Sequence, residues 1–542
     1  MSDGSLRGLI ARTPAWALTA AAGVAYVIAA PPSTDLAAAS YRSELFSRAG
    51  FTLWDNGWYG GHHLPAYSII APALGAWIGP QLVAALAMMA ATALFALLID
   101  GLFTRGATRI AALWFAVGAS IGLLANRVPF DLGLALGLGC LLAARRRRWP
   151  GALVLALLTA LASPVAGAFV ALALLAWALT CARRSRRVPW WPLVLTAGAL
   201  VPIVLLALAF PEGGTQPFVG SAFYPDLFGV LLIAALIARE RTDRVLLAGV
   251  LLYALALIGA FAIPSAVGGN VDRLGALVAG PLAACVLFSS HRLLLAVMAP
   301  FLLYWQANAP LADFASAASD PAVKASYYAP LLKELGALQI GYSARPARVE
   351  VVPTADHWEA RWVAPHVAMA RGWERQLDTL RDALFYRSHP ALMAAGYRAW
   401  LAQQAISYIA LSDAPLDYSA KAEAALLRGA ATAGRPPAYL REVWRSAHWR
   451  LFAVQNATPL AAAPAQLTHL GSDSFTLTAP RRGTFTVRVH FTPYWALSEG
   501  PGCVSRAPGD WTDVQARAPG SLQVVIRFSL ARVFERGPRC ID

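Results

Sequence analysis

Apolar residues run almost unbroken over 14–32, 80–103, 110–125, 130–144, 150–163, 165–181, 189–210, 222–238, 245–263, 273–289 and 293–308. Gly, Pro or Arg punctuates the breaks between them. A helix crosses the hydrocarbon of a bilayer with about 20 such residues. The pattern therefore predicts about eleven transmembrane helices, and the pair within 150–181 also reads as one long helix.

The pattern changes after 309. Helical periods at 373–386, 390–404 and 420–428 mix with short strand-like runs at 349–352 and 406–411. From about 449 to 537 the period becomes two, at 450–454, 474–477, 483–491 and 521–530, with Gly and Pro between the runs. Such alternation predicts a small β-sandwich. The expected organisation is a transmembrane module at 1–309 holding a long first loop (33–79), a mixed α/β region at 310–448 and a sandwich at 449–542. The fold class is thus a polytopic α-helical membrane protein with a C-terminal extracytoplasmic α+β domain ending in that sandwich.

Charge sets the orientation. If the N-terminus is cytoplasmic, sixteen arginines fall at cytoplasmic ends: Arg7, Arg12, Arg105, Arg109, Arg145, Arg146, Arg147, Arg148, Arg183, Arg184, Arg186, Arg187, Arg239, Arg241, Arg244 and Arg292. Only four, Arg42, Arg48, Arg127 and Arg273, fall in the opposite short loops. This asymmetry is the positive-inside bias. It places the first loop and everything past 309 outside, which needs an odd number of spans. Arg7 and Arg12 before the first apolar run also give the N-terminus the outline of a secretory signal, but the later spans already commit the chain to the membrane.

Composition agrees with a lipid environment. The chain of 542 residues is 58% hydrophobic and 14% charged, against roughly 25% charged in soluble domains. The net charge of +15 would suggest nucleic acid in a soluble protein; here loop arginines account for it and no nucleic-acid partner is expected. Ala, Arg and Gly are abundant and Lys scarce, as in proteins of GC-rich bacteria. Cys140, Cys181 and Cys285 lie in or beside apolar runs, whereas Cys503 and Cys540 lie in the polar part and are placed to form a disulfide in an oxidising compartment. No Cys/His spacing resembles a zinc site.

The first loop concentrates the candidate chemistry. Asp35 lies just past the first run, and Arg42, seven residues on, shares its face if the segment is helical. Glu44 falls on another side. Then come Trp54, Asp55, Trp58, Tyr59, Gly60, Gly61, His62 and His63, too rich in turn formers for an amphipathic helix. A plain connector needs only a few residues. Taken singly, these side chains also read as an interfacial aromatic belt, a helix cap and surface histidines. Two shorter loops add Asn126, Arg127 and Asp131, and Asn270, Asp272 and Arg273; ionised groups beside lipid are costly unless paired or functional. Tyr224 and Asp226 open the eighth run, with an interfacial anchor as the plainer reading.

This layout resembles the GT-C class of integral-membrane glycosyltransferases, which use polyprenyl-phosphate sugars. There a long outside loop follows the first span, opens on an acid and ends in a short apolar helix. Asp35 matches that acid by position, and 65–78 matches the short helix. The class often shows an acidic doublet; here Leu36 follows Asp35. Asp131 is similar to a second acid found in a later outside loop.

The resemblance implies an inverting transfer on the outer face of a bacterial cytoplasmic membrane. Asp35 and Asp131 are then the catalytic candidates. Positive charge for the leaving phosphate comes from Arg127, Arg273 or a divalent cation (Mg2+ or Mn2+) held by Asp35 and Asp131. Arg42, Glu44, Trp54, Asp55, Trp58, Tyr59, His62 and His63 are the substrate-binding candidates. The implied partners are a polyprenyl-phosphate-linked sugar, a glycan, lipid or protein acceptor, and membrane lipids. The rival functions are a transporter or flippase of envelope lipids or glycans, and a non-catalytic scaffold of the same architecture. No phosphate-binding GxxxxGK[ST] loop occurs.

Overall fold

The computed structural model describes residues 14–185, 189–240, 244–343, 345–387, 392–429, 434–534 and 540. Arg7, Arg12, Arg186, Arg187 and Arg241, the side chain of Arg184 and the start of the expected 390–404 helix lie outside the described residues.

Every apolar run of the first 319 residues is a helix. In chain order these are α1 (Ala15–Ala29), α2 (Thr34–Ala49), α3 (Ala71–Ile78), α4 (Pro80–Ile99), α5 (Arg105–Gly122), α6 (Val128–Arg145), α7 (Trp149–Ala162) and α8 (Pro164–Ser185). They continue with α9 (Trp190–Ala209), α10 (Gly220–Glu240), α11 (Arg244–Ala262), α12 (Asp272–Leu287) and α13 (Arg292–Ser319). Among the described residues, nine helices are long and apolar enough to cross a membrane, or ten if α1 and α2, bent by 74°, form one span. α7, with 14 residues, is too short for that test. The 150–181 stretch is two helices because Ser163 is extended and Pro164 follows it, so the α7 ladder stops there.

The chain packs as two compact units. The first holds residues 1–43, 66–207 and 215–318; the second holds 44–65, 208–214 and 319–542. Within the first unit, small residues let helices approach closely. A Cβ on Gly133 would lie 2.7 Å from Ala166, and one on Gly137 would lie 2.6 Å from Val170, the small-xxx-small spacing of helices packed in lipid.

The two ends of the helical unit carry different polar groups. Arg145 at the end of α6 donates to the carbonyls of Leu98 and Asp100 at the end of α4. Nearby ends meet as Thr104 with Ser289 and Thr180 with the Arg244 carbonyl. The opposite helix ends carry Asp35, Arg127, Asp131, Asp272 and Arg273.

The second unit contains α14 (Ala325–Ala337), β3 (Arg348–Val351), α15 (Glu359–Trp362), β4 (Ala368–Met369), α16 (Arg375–Arg381), α17 (Ala394–Gln403), β5 (Ile406–Ser412), α18 (Lys421–Leu427), β6 (Leu440–Arg445) and β7 (Trp449–Val454). Its first sheet runs β4-β3-β5-β7-β6, parallel at β4-β3-β5 and antiparallel from β5 on. Tyr397, Trp400 and Leu401 of α17 pack on Ile409, Leu411 and Phe452 of this sheet.

The seven remaining strands are β8 (Gln466–Leu470), β9 (Ser474–Ala479), β10 (Gly483–His490), β11 (Trp495–Glu499), β12 (Gly502–Arg506), β13 (Trp511–Ala516) and β14 (Gly520–Ile526). They form two antiparallel sheets, β10-β13-β12 and β11-β14-β9-β8. Phe475, Leu477, Leu522 and Val524 of one sheet share a core with Phe485, Val487, Val489 and Val514 of the other, as the alternation predicts. One strand differs. β7, expected to open the sandwich, pairs with β5 and β6 instead, because its Phe452 is buried with the helices over that sheet. Cys503 and Cys540 are joined by a disulfide, and Cys140, Cys181 and Cys285 are thiols outside it.

Candidate functional site

In the helical unit, four of the residues singled out from the sequence converge. Asp35 is in the first turn of α2, where an acid suits the helix N-terminus. Its Oδ2 lies 3.7 Å from Nε of Arg127, and Nη2 of Arg127 lies 3.7 Å from Oδ2 of Asp313 on α13. Arg127 therefore pairs with these two acids and not with Asp131, four residues ahead of it. Asp131, in the first turn of α6, is buried, and its Oδ2 has no hydrogen-bond partner among the described residues. The charges of Arg127, Arg273 and Asp35 all act on it. Arg273 is surrounded by Arg127, Asp35, Tyr67 and Asp131 and stands over the Phe130 ring at 5.5 Å.

Arg42 shares the face of Asp35, and both line one small cavity of about 20 Å³ with Tyr67 and Asn126. The Arg42 guanidinium covers the Tyr67 ring at 3.9 Å. Asn126 accepts from the Tyr26 hydroxyl, which ties the end of α1 to the turn before α6.

Phe130 also lines a second cavity, of about 330 Å³, between α4, α5, α6, α8, α10, α11 and α12. Leu274 and Gly275, next to Arg273, line it too, and none of its lining residues is charged. Along α6 it extends from Phe130 to Leu141, about 16 Å at the helical rise. An apolar chamber of this size lies within the range of small-ligand sites.

Asp226 and Asp272 meet side chain to side chain in the same unit. Trp305 donates to Asp272 at 2.7 Å. Tyr224 is exposed. Asp313 and Tyr67 were not among the candidates: Asp313 lies past the expected end of the last span at 308, on a helix that continues to Ser319, and Tyr67 lies in the stretch 65–78 matched to a short apolar helix.

The aromatic–Gly–His segment belongs to the second unit and is part of its core. Trp54–Asp55 (β1) and His62–His63 (β2) pair as a short antiparallel ladder. Backbone bonds stitch it down: Asn56 N–H to Ser472, Met369 N–H to the Gly57 carbonyl, and His490 N–H to the Gly60 carbonyl. Asp55 accepts from Gly57 N–H and shapes the turn. Trp58, Tyr59 and His62 are fully buried, with Trp58 stacked on His62 at 5.5 Å and Tyr59 donating to the Glu374 carbonyl. Glu44 pairs with Arg361 and Arg48. These side chains are held by protein partners, which an interfacial aromatic belt would not need.

His63 bonds Glu212 through Nδ1 at 2.7 Å and Thr492 through Nε2 at 3.0 Å. Burial alone would raise the Glu212 carboxyl, but the hydrogen bond and charge of His63, helped by Arg381, hold it below its usual range. The only sequence signal for Glu212 is an acid beside Pro211 and two glycines between apolar runs.

Among the described residues, no group of three or more His, Cys, Asp or Glu is arranged to hold a metal ion. The chain matches no protein-family model and no curated protein.

Proposed function

We propose that the chain is an inverting membrane glycosyltransferase that takes a sugar from a polyprenyl-phosphate donor and gives it to a cell-envelope acceptor. In this reading it lies in a bacterial cytoplasmic membrane with about eleven spans, its arginine-rich helix ends inside and its C-terminal unit outside. One observation carries it: Asp35, Asp131, Arg127 and Arg273 gather where Phe130 walls an apolar chamber. An isoprenoid needs the chamber and its phosphate needs the arginines.

The chemistry follows from the placement. The acceptor hydroxyl attacks the anomeric carbon and the bond from that carbon to the phosphate oxygen breaks, with inversion. The hydroxyl proton passes to Asp35, the more accessible of the two acids, a task for a positioned general base. Guanidinium forks suit the departing phosphate, and Arg127 and Arg273 take that role. Asp131 adds a buried acid within the field of both arginines. A divalent cation would have Asp35 and Asp131 as its protein donors, fewer than the six oxygens Mg2+ takes, with both guanidiniums competing for them. The arginines supply the charge in this scheme.

The test is transfer from a radiolabelled polyprenyl-phosphate hexose or pentose by the purified protein. Wild type should transfer and Asp35→Asn should not, with both proteins equally folded.

A second reading, ion-coupled transport, draws on the Asp226–Asp272 pair. Both acids lie within the first two turns of their helices, whereas a coupled carrier places ionisable groups at mid-membrane. The uncharged lining of the large chamber also gives a polar solute no path.

A further inference from the structure

The second unit encloses a polar cavity of about 270 Å³ whose lining includes Trp54, Glu212, Arg381, Gln404, His490 and Trp511. It is near the lower end of small-ligand pockets, ~300 Å³.

Its wall carries acceptors that no donor among the described residues hydrogen-bonds. Burial, with the Arg381 charge, pushes His490 down to about 4, so its ring is neutral. Its Nδ1 faces the Asp510 carbonyl at 3.2 Å and the Asp510 carboxylate at 3.5 Å. The proton therefore sits on Nδ1, and Nε2 presents a lone pair. That Nε2 is buried without a partner, as is Oε1 of Gln404. Oε2 of Glu212 accepts no hydrogen bond and lies 3.5 Å from Arg381. Buried polar atoms of native proteins are nearly always satisfied, so the His490 and Gln404 atoms, beside the ion-paired Glu212 carboxylate, call for a ligand that donates several hydrogens. The aromatic wall adds a second requirement. Trp511 lies stacked on His490 at 4.3 Å, and Trp54 stands with it in the lining.

Charge narrows the class. Glu212 is held ionised opposite Arg381 at 3.5 Å, and Asp510 pairs with Arg506 at 2.6 Å, so both carboxylates already face a cation. An anion would find these cations already engaged, and an alkyl chain would leave the acceptors unmet. A neutral sugar ring meets both demands, since its hydroxyls donate and its C–H face lies on indole.

We propose that this cavity binds a single neutral sugar ring, free or as the end of a glycan. The inference does not depend on transfer in the helical unit: a protein that binds but transfers nothing would still bear it out. The bland occupant is water, about nine molecules at ~30 Å³ each.

The test uses the full-length protein in detergent. Methyl glycosides of glucose, galactose, mannose and arabinose are titrated by calorimetry and tryptophan fluorescence, with glucuronate as the anionic control. Saturable binding of at least one glycoside is expected near the millimolar range. Gln404→Leu should weaken it about tenfold or more, a loss of ~1.4 kcal/mol, and so should His490→Phe, each with an unchanged melting temperature. Glucuronate should bind more weakly than glucose. The proposal is overturned if no glycoside binds up to about 100 mM, as a water-filled cavity predicts, or if both variants bind as wild type does.

Discussion

The guanidinium of Arg127 lies 3.7 Å from the carboxylate of Asp35 and equally far from that of Asp313, so one arginine ties the starts of α2 and α6 to α13. Asp131, outside these two ion pairs, feels the charges of both Arg127 and Arg273. The arrangement separates an accessible acid, Asp35, from a buried one, Asp131.

If Arg127 and Arg273 receive the departing phosphate, charge and shape both count. Arg127→Gln should lower kcat by about 10²–10³, the usual effect of removing one stabilising donor. Arg127→Lys keeps the charge without the planar fork and should lose roughly tenfold. Steady-state transfer from the lipid-linked donor measures both; equal losses in the two variants would show that geometry, not charge, is what Arg127 supplies.

A buried acid cluster makes the second unit sensitive to alkali. Burial, reinforced by neighbouring acids, raises Glu350 well above its usual range and Asp382 to about 8. Burial likewise raises Glu423 to about 7, against the Arg371 charge. For His357 burial opposes the charged form, but its bonds to Asp417 and Glu359 outweigh this and bring it to about 9. Each of these folded values lies above the unfolded one, so the stability is fully present below the unfolded values and is lost as pH rises towards the folded ones. Stability should fall from about pH 5 to 9, by up to ~1.4 kcal/mol per pH unit for each group. Melting curves of the full chain monitored by tryptophan fluorescence test this. Asp382→Asn should flatten the slope, and a melting temperature that rises over this window would contradict it.

The disulfide predicts a thiol count. Denatured but unreduced protein should take up maleimide at three cysteines, Cys140, Cys181 and Cys285, and at five after reduction. Mass spectrometry gives both numbers. Five before reduction would place Cys503 and Cys540 in a reducing compartment and remove one support for an outside C-terminal unit.

Gly61 has a specific steric reason to be glycine. Its φ is +109°, and a Cβ there would lie 2.4 Å from the Trp54 ring. Gly61→Ala should therefore destabilise the second unit by about 1–3 kcal/mol, as overpacking does, read as a lower melting temperature. An unchanged one would mean the β1–β2 turn is not held as described.

Much of the helical unit is legible in the sequence because the cost of charge in lipid leaves long apolar runs between arginines. Asp35, Arg127, Asp131 and Arg273 were legible for the same reason: an ionised group at the edge of such a run needs a purpose. Trp54 to His63 were legible as important but not as core. A buried aromatic–His cluster and an interfacial one have the same composition, and only the bonds from Met369, Ser472 and His490 distinguish them. β7 was placed in the wrong sheet because alternation reports a half-buried strand and not its neighbours. The polar cavity was beyond reach, since Glu212, Gln404 and His490 lie far apart in the chain.

The most direct measurement compares envelope glycans and glycolipids by mass spectrometry in cells carrying wild type, Asp35→Asn, Asp131→Asn or no gene. A glycan or glycolipid made with wild type should be missing without the gene and in the Asp35→Asn cells, where removing a positioned base costs ~10²–10⁴ in rate, and reduced or missing with Asp131→Asn. Envelopes that are the same in all four, or a difference on deletion that both variants restore, would contradict the assignment of transfer to this site.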